Sequence, residues 1–388
     1  MEQIIRFGII GCGLMGREFA SVIARWCHLT EDLPKPVLVA VCDTQAGNRK
    51  WFTTHFPGIH ESENYKDLLE DASIDAIYCA VPHNLHERLY VDIINAKKHL
   101  LGEKPFGIDR QANENILEAI NKNKQVVVRC SSEFPFSPAM QEICSIIEHD
   151  EIGEILQVEA GFIHSSDLNP LKPISWKRLV QYNGEYGCMG DLGMHACHVP
   201  FKAGWVPTNV RAILSKIVKE RPVAAGSDEY TSCETWDNAT LFCEAIDPKT
   251  KKPFPMTIKT MRIAPGETNT WYFSILGTKT SVRFSTKNIN TYERIVYHPG
   301  GAQNWETIDV GHKVSYSTIT GSIFEFGFSD AILQMWAAFL YEIAHEGKVK
   351  SKFSGCVTPQ ETKYSHELFT AALKSHETRS VVSIPIPY

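Results

Sequence analysis

The sequence GCGLMG at residues 11–16 is a complete GxGxxG pattern. The apolar run at residues 4–10 before it predicts a buried strand, and apolar residues at helical spacing follow it. A strand, a glycine turn and a helix in this order form the setting in which this pattern binds a dinucleotide. Gly11 would permit the tight turn, Gly13 would let the backbone approach a pyrophosphate, and Gly16 would let the helix pack closely on the strand. We therefore expect a nucleotide-binding unit here, with the phosphates at the helix N-terminus.

The second predicted strand, Val37–Cys42, ends at the acidic residue Asp43. A carboxylate at this place accepts hydrogen bonds from the adenosine ribose and repels a 2′-phosphate, which favours NAD over NADP. Its spacing from the glycines is longer than the usual separation of about 20 residues, and we attribute the difference to an inserted loop at residues 28–36. Arg17 and Arg49 lie nearby in the sequence and could accommodate a phosphate, so NADP stays open, as does a purely solvated role of Asp43.

Strands and helices continue to alternate as far as residue 130. Predicted strands lie at residues 72–81, 99–102 and 126–130, and predicted helices at residues 85–96 and 110–122. Repeated βα units imply a parallel sheet covered on both faces. From residue 155 onward, strand-like runs with alternating polar and apolar residues dominate, followed by two helices, which indicates an open, mostly antiparallel sheet. The predicted fold class is therefore α/β, with a Rossmann domain at residues 1–130 and a second α/β domain at residues 131–388.

Composition narrows the class of protein. The 388 residues are 43% hydrophobic and 22% charged with a formal net charge of -6, which is ordinary for a globular protein and offers no basic patch for nucleic acid. The apolar stretch at residues 331–344 is too short to span a bilayer, and the N-terminus lacks the apolar run of a signal peptide. The 11 cysteines are scattered without a CxxC pair, as in proteins with reduced thiols. We expect a cytoplasmic protein that binds neither nucleic acid nor membrane.

Several further motifs accompany the glycine turn. They are PHNLH at residues 82–86, EKP at residues 103–105, Trp176, GCMGDLGMH at residues 187–195 and TPQE at residues 358–361. In this order, behind a Rossmann unit, they resemble the glucose-fructose oxidoreductase / inositol dehydrogenase / MocA family over nearly the whole chain. Within that family the chain is most similar to sugar dehydrogenases of the levoglucosan type and to enzymes that oxidise glycosides at C3.

The resemblance implies a nicotinamide cofactor, carbohydrate-like substrates and a dimer or tetramer assembled through the open sheet of the second domain. It also implies catalytic roles for Lys104, Asp191 and His195. The residues expected to bind the cofactor are Gly11, Gly13, Leu14, Met15, Gly16, Asp43, Pro82, Asn84, His86, Glu103 and Lys104. The residues expected to bind the substrate are Lys104, Trp176, Lys177, Arg178, Asp191, His195 and His198.

The three catalytic candidates suit the oxidation of a secondary alcohol, in which a hydride leaves carbon and a proton leaves oxygen. His195 is a suitable base because imidazole titrates near neutral pH. On a helix running up to Pro200, Asp191 would share a face with His195 and could orient the imidazole or bind a second substrate hydroxyl. Lys104 follows a strand end, and its ammonium could stabilise alkoxide character on the reacting oxygen or relay the proton from His195. The alternatives are a surface lysine, a helix-capping aspartate and a buried structural histidine.

The surroundings of these residues bear on metal and substrate. His195, Cys197 and His198 lie within four residues, but on a helix the thiol points away from His195 and no distant partner ligands are evident, so no metal is expected. Asn84 could cap the helix that follows it rather than face the cofactor. Glu133 and two prolines follow the sixth strand, where the family commonly has basic residues, and this favours a neutral sugar over a phosphorylated or acidic one.

The sequence thus predicts an NAD(P)-dependent dehydrogenase that moves a hydride between a secondary hydroxyl of a neutral sugar, glycoside or cyclitol and a nicotinamide, with Lys104 and His195 handling the proton. Two alternatives stay open. One is a redox-neutral glycoside hydrolase or lyase that uses bound NAD through a transient 3-keto intermediate. The other is a regulatory protein that senses a nicotinamide nucleotide on the same fold.

Overall fold

The computed structural model describes residues 3–311, 314–321, 324 and 326–385. The elements of the first sheet and its helices are β1 (Ile4–Ile10), α1 (Leu14–Ala24), β2 (Lys35–Cys42), α2 (Ala46–His55), β3 (His60–Ser62), α3 (Tyr65–Glu70), β4 (Ala76–Cys79), α4 (His86–Asn95), β5 (His99–Gly102), α5 (Arg110–Lys122) and β6 (Val128–Cys130). The remaining elements are α6 (Pro138–Glu148), β7 (Ile155–Ile163), α7 (Val180–Asn183), α8 (Met194–Ala203), β8 (Pro207–Ser215), β9 (Glu220–Pro222), β10 (Tyr230–Ser232), β11 (Asn238–Ile246), β12 (Pro253–Met261), β13 (Thr270–Gly277), β14 (Thr280–Ser285), β15 (Thr291–Val296), β16 (Glu306–Asp309), α9 (Phe328–Ala344), α10 (Pro359–Thr378) and β17 (Val382–Ser383).

The first sheet has six parallel strands in the order β3-β2-β1-β4-β5-β6. The chain adds strands on one side of β1 and then on the other, so the topological switch point lies between β1 and β4. Ligands of open α/β sheets bind outside the carboxyl ends of the strands at this point. The glycine turn follows β1 and the PHNLH segment follows β4, so both predicted binding segments lie at this crevice.

The second sheet has nine strands in the order β16-β15-β14-β13-β7-β12-β11-β8-β17, and within it the β7–β12 pairing is parallel. Apolar side chains of its inner face share a buried core with helices α6, α8 and α10. Ile213, Phe242 and Leu276 stay exposed. Because residues paired across strands share a face of a sheet, the pairings place these three on the face that points away from the helices. The predicted fold class, a Rossmann sheet plus a large, mostly antiparallel sheet, is confirmed.

Helix α10 begins with a capping box in the TPQE segment at residues 358–361. The Thr358 hydroxyl accepts the Glu361 N–H at 3.3 Å, and the Glu361 carboxylate accepts the Thr358 N–H at 2.9 Å. Pro359 is the first helical residue, where its missing N–H costs no hydrogen bond. These contacts fix the start of the helix that packs on the inner face of the second sheet.

Helix α9 lies after the predicted domain boundary at residue 130 but packs in the core of the first domain. It follows the second sheet in the chain, yet its Trp336 ring stacks on Phe19 of α1 with centroids 3.6 Å apart and meets Phe7 of β1 edge-on at 5.3 Å. A division of the chain at residue 130 therefore separates the two sheets but not the two cores. Within the described residues, no helix is both long and apolar enough to cross a lipid bilayer.

The GCMGDLGMH segment at residues 187–195 differs from the expected helix. A π-helical turn spans Met189–Gly193, and α8 then runs through Pro200 to Ala203 rather than ending at the proline. A proline inside a helix removes one hydrogen bond, but every described residue of α8 except Lys202 is buried, so core packing holds the helix together. A Cβ on Gly193 would lie 2.5 Å from the Phe369 ring, so the glycine allows α10 to approach closely.

Candidate active site

A cavity of about 740 Å³ opens where the two domains meet. The glycine turn and Asp43 line one end of it. Lys104 from the first domain and Asp191 and His195 from the second line it as well. The ammonium and the imidazole on which the predicted chemistry depends therefore share one cavity, although they are 91 positions apart in the chain.

The glycine turn is shaped to hold a dinucleotide. Gly11 has a φ of +97°, and a Cβ there would lie 2.1 Å from the Ala80 carbonyl oxygen. A Cβ on Gly16 would lie 2.2 Å from the Gly11 carbonyl oxygen, whereas one on Gly13 would meet no atom within 4 Å. Gly13 is also the N-cap of α1 and offers no side chain to its free N–H groups. The turn thus leaves an open backbone cradle at a helix N-terminus, which is the geometry that a pyrophosphate requires.

Asp43 lies at the end of β2 beside this cradle. Its carboxylate accepts the Cys12 N–H at 2.9 Å and the Gln45 N–H at 2.8 Å. The Arg49 guanidinium, which could have received a phosphate, instead donates to the Asp43 carbonyl oxygen at 2.6 Å and pairs with Glu61. The charge that faces the predicted ribose position is therefore the carboxylate, and this favours a cofactor without a 2′-phosphate.

We expect the protein to prefer NAD over NADP at least several-fold, and Asp43→Ser to reduce this preference by roughly 10-fold because it removes the repulsion of a nearby phosphate. The ratio of kcat/KM values for the two cofactors is the measurement. Asp71→Ser, which removes a carboxylate outside the cavity, is the matched control and should leave the ratio unchanged. A wild type that prefers NADP would contradict the assignment.

Asp191 is buried at the centre of a cluster of cations. One carboxylate oxygen accepts hydrogen bonds from Lys104 Nζ and Lys177 Nζ, each at 2.8 Å, and the other is bound by Arg262. Lys104 Nζ also donates to the Asp191 carbonyl oxygen at 2.6 Å. Burial alone would raise the pKa of Asp191, but the three cations hold it well below its ordinary value. Asp191 is therefore ionised and holds the two ammonium groups side by side.

The pKa values of the two lysines in this cluster shift in opposite directions. Burial acts to lower the pKa of Lys104, but the carboxylates of Asp191 and Glu103 outweigh it, and the pKa is raised. For Lys177, burial outweighs the attraction of Asp191, and the pKa falls to about 8. Lys104 thus stays a cation throughout the neutral range, while Lys177 loses its proton as the pH rises through about 8.

The His195 ring is enclosed by aromatic side chains. Phe134 and Phe162 meet it edge-to-face, with centroids 5.2 and 5.4 Å away, and its Nδ1 lies 3.0 Å from Ser132 Oγ. In the part of the chain that the structure describes, Asp191 makes no hydrogen bond to this ring. The expectation that Asp191 orients the imidazole is therefore wrong, because its carboxylate is occupied by cations. Ser132, which the sequence did not single out, contacts the ring instead.

The protonation of His195 also differs from the sequence-based expectation. Burial, followed by the positive charge of Lys104, lowers the pKa of His195 well below its ordinary value. The ring is therefore neutral at neutral pH. The expectation that it titrates near neutral pH, as suits a base, is wrong. A neutral imidazole is still able to accept a proton at Nε2 when Nδ1 donates to Ser132 Oγ.

Two of the residues expected to bind the cofactor lie away from the cavity. Asn84 lines a separate surface groove, and α4 has no side-chain cap, so neither of its predicted roles is met. His86 is fully buried; its Nε2 lies 3.1 Å from the Val81 carbonyl oxygen, and its Nδ1 accepts the Gly107 N–H at 3.4 Å. His86 therefore holds the loop after β5 in place.

The remaining predicted cofactor residues line the cavity, except Gly16, which packs against the Gly11 backbone. Leu14 and Met15 lie at the start of α1, Pro82 follows β4, and Glu103 precedes Lys104. The Lys104–Pro105 peptide bond is cis.

Only some of the residues expected to bind the substrate line the cavity. Trp176 and Lys177 line the cavity. Arg178 is 1% exposed and forms buried ion pairs with Asp237 and, at 3.6 Å, with Asp167. The expectation that Arg178 contacts substrate is therefore wrong, since its side chain points into the second domain.

His198 is likewise a structural residue. Its Nδ1 lies 2.7 Å from the carboxylate of Glu361, which also pairs with Lys202 at 3.4 Å. This buried group joins α8 to the first turn of α10, and His198 does not line the cavity, so the expected substrate role is wrong. Among the described residues, no group of three His, Cys, Asp or Glu side chains is arranged to hold a metal ion.

Glu133 is a further acidic residue that lines the cavity. It is 6% exposed, and burial together with the neighbouring charge of Glu103 raises its pKa to about 7. A second carboxylate here would repel an anionic ligand. The neutral substrate expected from the sequence stays a prediction.

Known proteins resemble the chain both in sequence and in fold. Residues 5–130 match the sequence model of GFO_IDH_MocA, described as "Oxidoreductase family, NAD-binding Rossmann fold". Levoglucosan dehydrogenase of Pseudarthrobacter phenanthrenivorans is 24% identical over 58% of the chain and 57% of its own length. Inositol 2-dehydrogenase of Pseudarthrobacter chlorophenolicus is 23% identical over 61% of the chain and 65% of its own length. The chain thus aligns with less than two thirds of these relatives.

A solved structure of levoglucosan dehydrogenase in complex with NADH and levoglucosan superimposes with a TM-score of 0.87 at 20% identity, covering 99% of the chain and 100% of that structure. This likeness extends the shared fold to the second domain. The first domain is an NAD-binding Rossmann domain. The match of residues 5–130 makes that domain similar to the Rossmann domain of the GFO_IDH_MocA oxidoreductase family.

Proposed function

We propose that this protein is an NAD(P)-dependent dehydrogenase that transfers a hydride between a secondary hydroxyl of a neutral sugar, glycoside or cyclitol and a nicotinamide cofactor. The observation that carries the proposal is the shared cavity, in which the glycine turn, Lys104 and His195 all take part. The sugar and cyclitol dehydrogenases among the similar proteins support the reaction class.

The residues of the chain would act on the substrate oxygen. The bound nicotinamide would supply the acceptor for the hydride that leaves the carbinol carbon with its electron pair. Lys104 Nζ, fixed by Asp191, would donate to the reacting oxygen and stabilise its alkoxide character. His195 Nε2 would accept the hydroxyl proton, leaving a ketone and one released proton. In the reverse direction the same groups would return the proton to the carbonyl oxygen.

The choice of a neutral substrate is supported by the charges in the cavity. Glu103 and Glu133 are both among the residues that line it, and negative charge on their carboxyl groups would act against an acidic or phosphorylated ligand. The Trp176 ring offers an apolar wall of the kind on which sugar rings pack. Lys177 Nζ lies 5.6 Å from the centre of this ring and could donate to sugar hydroxyls.

The test is a panel of levoglucosan, myo-inositol, glucose and methyl glucosides, each incubated with NAD or NADP and followed at the nicotinamide absorbance. We expect NADH to accumulate with at least one neutral polyol. Release of reducing sugar without net NADH would overturn the dehydrogenase in favour of a redox-neutral hydrolase or lyase. Nucleotide binding without any turnover would favour a regulatory role.

The alkaline side of the pH profile should report Lys177. We expect kcat/KM to fall as pH rises through about 8, because the Lys177 ammonium beside Asp191 loses its proton there. Lys177→Arg should extend the plateau to higher pH, since guanidinium stays charged. Lys177→Met should lower kcat/KM by roughly 10-fold below pH 8 and abolish the fall in kcat/KM above pH 8. If kcat/KM falls above pH 8 in both variants as it does in the wild type, another group causes the fall.

We also propose that the protein is a dimer or tetramer assembled through the outer face of the second sheet. Ile213, Phe242 and Leu276 are exposed on that face, and exposed apolar side chains on an open sheet are typical of subunit contacts. The cytoplasmic location stays a prediction.

A further inference from the structure

His83 is a second imidazole of the cavity to which neither the sequence motifs nor the proposed reaction gives a role. It lies in the turn after β4 and lines the same cavity as Lys104 and Asp191. Its ring meets Trp176 edge-to-face, with centroids 5.0 Å apart at 82°. The residue is only 2% exposed. A nearly buried polar ring between the candidate reacting lysine and the candidate substrate wall is placed to contact a ligand there.

The hydrogen bonding of His83 defines which ring nitrogen carries the proton. Nδ1 lies 3.0 Å from the carbonyl oxygen of Asn183, at the end of α7 in the second domain. A carbonyl oxygen only accepts, so Nδ1 must donate. Burial, followed by the charges of His86 and Lys104, lowers the pKa of His83 well below its ordinary value, so the ring carries a single proton. Nε2 is therefore unprotonated and is a hydrogen-bond acceptor.

Nothing in the described part of the chain uses this acceptor. The one hydrogen bond recorded for the His83 ring is that of Nδ1, and Nε2 is not among the side-chain nitrogens sealed from solvent without a partner. Among the described residues, Nε2 is thus an unused acceptor on a side chain that lines the cavity. Among the described residues, His195 is likewise bonded through Nδ1, but its partner, the Ser132 hydroxyl, can donate or accept and so does not fix the tautomer.

The carboxylate that lies beside both lysines, that of Asp191, is already occupied. Both carboxylate oxygens of Asp191 already receive hydrogen bonds, from Lys104 and Lys177 on one and Arg262 on the other. The lysines themselves only donate. Each hydroxyl of a polyol brings one donor, and a buried hydroxyl whose donor finds no acceptor is costly.

We propose that His83 is a specificity-determining residue, whose Nε2 accepts a hydrogen bond from a hydroxyl of the polyol substrate other than the one that is oxidised. The proposal rests on the proposed dehydrogenase function and adds the way in which the site selects a polyol. It also couples the two domains, because Asn183 of the second domain sets the tautomer of a histidine carried by the first.

The tautomer is tested first, without substrate. In protein labelled with ¹⁵N-histidine, the signals of His83 are assigned by their absence from His83→Phe. We expect a protonated Nδ1 and an unprotonated Nε2, with no titration between about pH 6 and 8. A protonated Nε2, or a ring that titrates in this range, overturns the proposal whatever the enzyme does.

The selectivity is then tested with whichever of levoglucosan, myo-inositol, glucose or methyl glucoside the wild type oxidises best. His83→Phe keeps the ring packing on Trp176 but removes the acceptor, and we expect it to lower kcat/KM by roughly 3- to 10-fold with unchanged NADH affinity. His83→Gln carries an amide oxygen within reach of the Nε2 position and should recover part of the loss. Among the monodeoxy analogues of that substrate, the one lacking the bonded hydroxyl should react equally with wild type and His83→Phe.

The outcomes separate the two proposals. Normal turnover of polyols by both wild type and His83→Phe overturns the role of His83 and leaves the dehydrogenase function intact. A loss in His83→Phe that is the same for every analogue indicates a merely structural residue and also overturns it. If the wild type oxidises none of the four polyols, the proposed function falls and the role of His83 with it.

Discussion

Replacement of Lys104 by methionine is expected to lower kcat/KM by roughly 10²- to 10⁴-fold while the cofactor still binds. The Lys104 ammonium stays charged throughout the neutral range, and methionine keeps much of its aliphatic length without the charge. Asp191 retains Lys177 and Arg262 as partners in the variant, so no buried carboxylate is left unpaired. The loss should therefore be one of catalysis and not of folding.

Lys172→Met is the matched control for this experiment. Lys172 pairs with Asp167, which is itself bound to Arg262, but its side chain is 43% exposed and does not line the cavity. Initial rates with the best panel substrate measure turnover, and quenching of tryptophan fluorescence by NADH measures cofactor binding. We expect the control to keep its rate and both variants to bind NADH. Full activity in Lys104→Met would remove the ammonium from the mechanism.

Local sequence signals were sufficient where one short segment determines its own geometry. The glycine turn is such a segment, because its backbone conformation and close contacts exclude side chains at Gly11 and Gly16. The capping box at Thr358 and the alternation of strands and helices in the first domain are others. The position of Lys104 could also be predicted from the sequence, since a residue that follows a parallel strand lies at the binding edge of the sheet.

Contacts between distant segments could not be anticipated in the same way. Arg178 and His198 occur beside true cavity residues in the sequence, but a turn of the backbone directs each into a buried ion pair. Ser132 reaches His195 across 63 positions, and Arg262 reaches Asp191 across 71. Helix α9 joins the first core although it follows the second sheet. Each of these depends on tertiary packing, for which no local pattern exists.

The largest loss of stability is expected from Asp191→Asn. The side chain is 1% exposed and carries the charge that balances Lys104, Lys177 and Arg262. Removing one partner of a buried ion pair typically costs about 3–5 kcal/mol, because the remaining charges are left uncompensated. The folded-state pKa of Asp191 lies well below its ordinary 3.8, so its contribution is present above that pH and is lost as pH falls further. The asparagine variant should lack this part of the acid dependence.

A second substitution shows whether uncompensated charge is the cause. In Asp191→Asn the three cations face one another around a neutral amide, so removing one of them should relieve the repulsion. Asp191→Asn/Lys177→Met is therefore expected to be more stable than Asp191→Asn alone, whereas Lys177→Met in the wild-type background should cost much less, because Asp191 keeps two other cations. Urea denaturation of the four proteins at neutral pH gives the coupling between the two sites. A double variant that is no more stable than Asp191→Asn would show that the lost hydrogen bonds, and not the unbalanced cations, account for the damage.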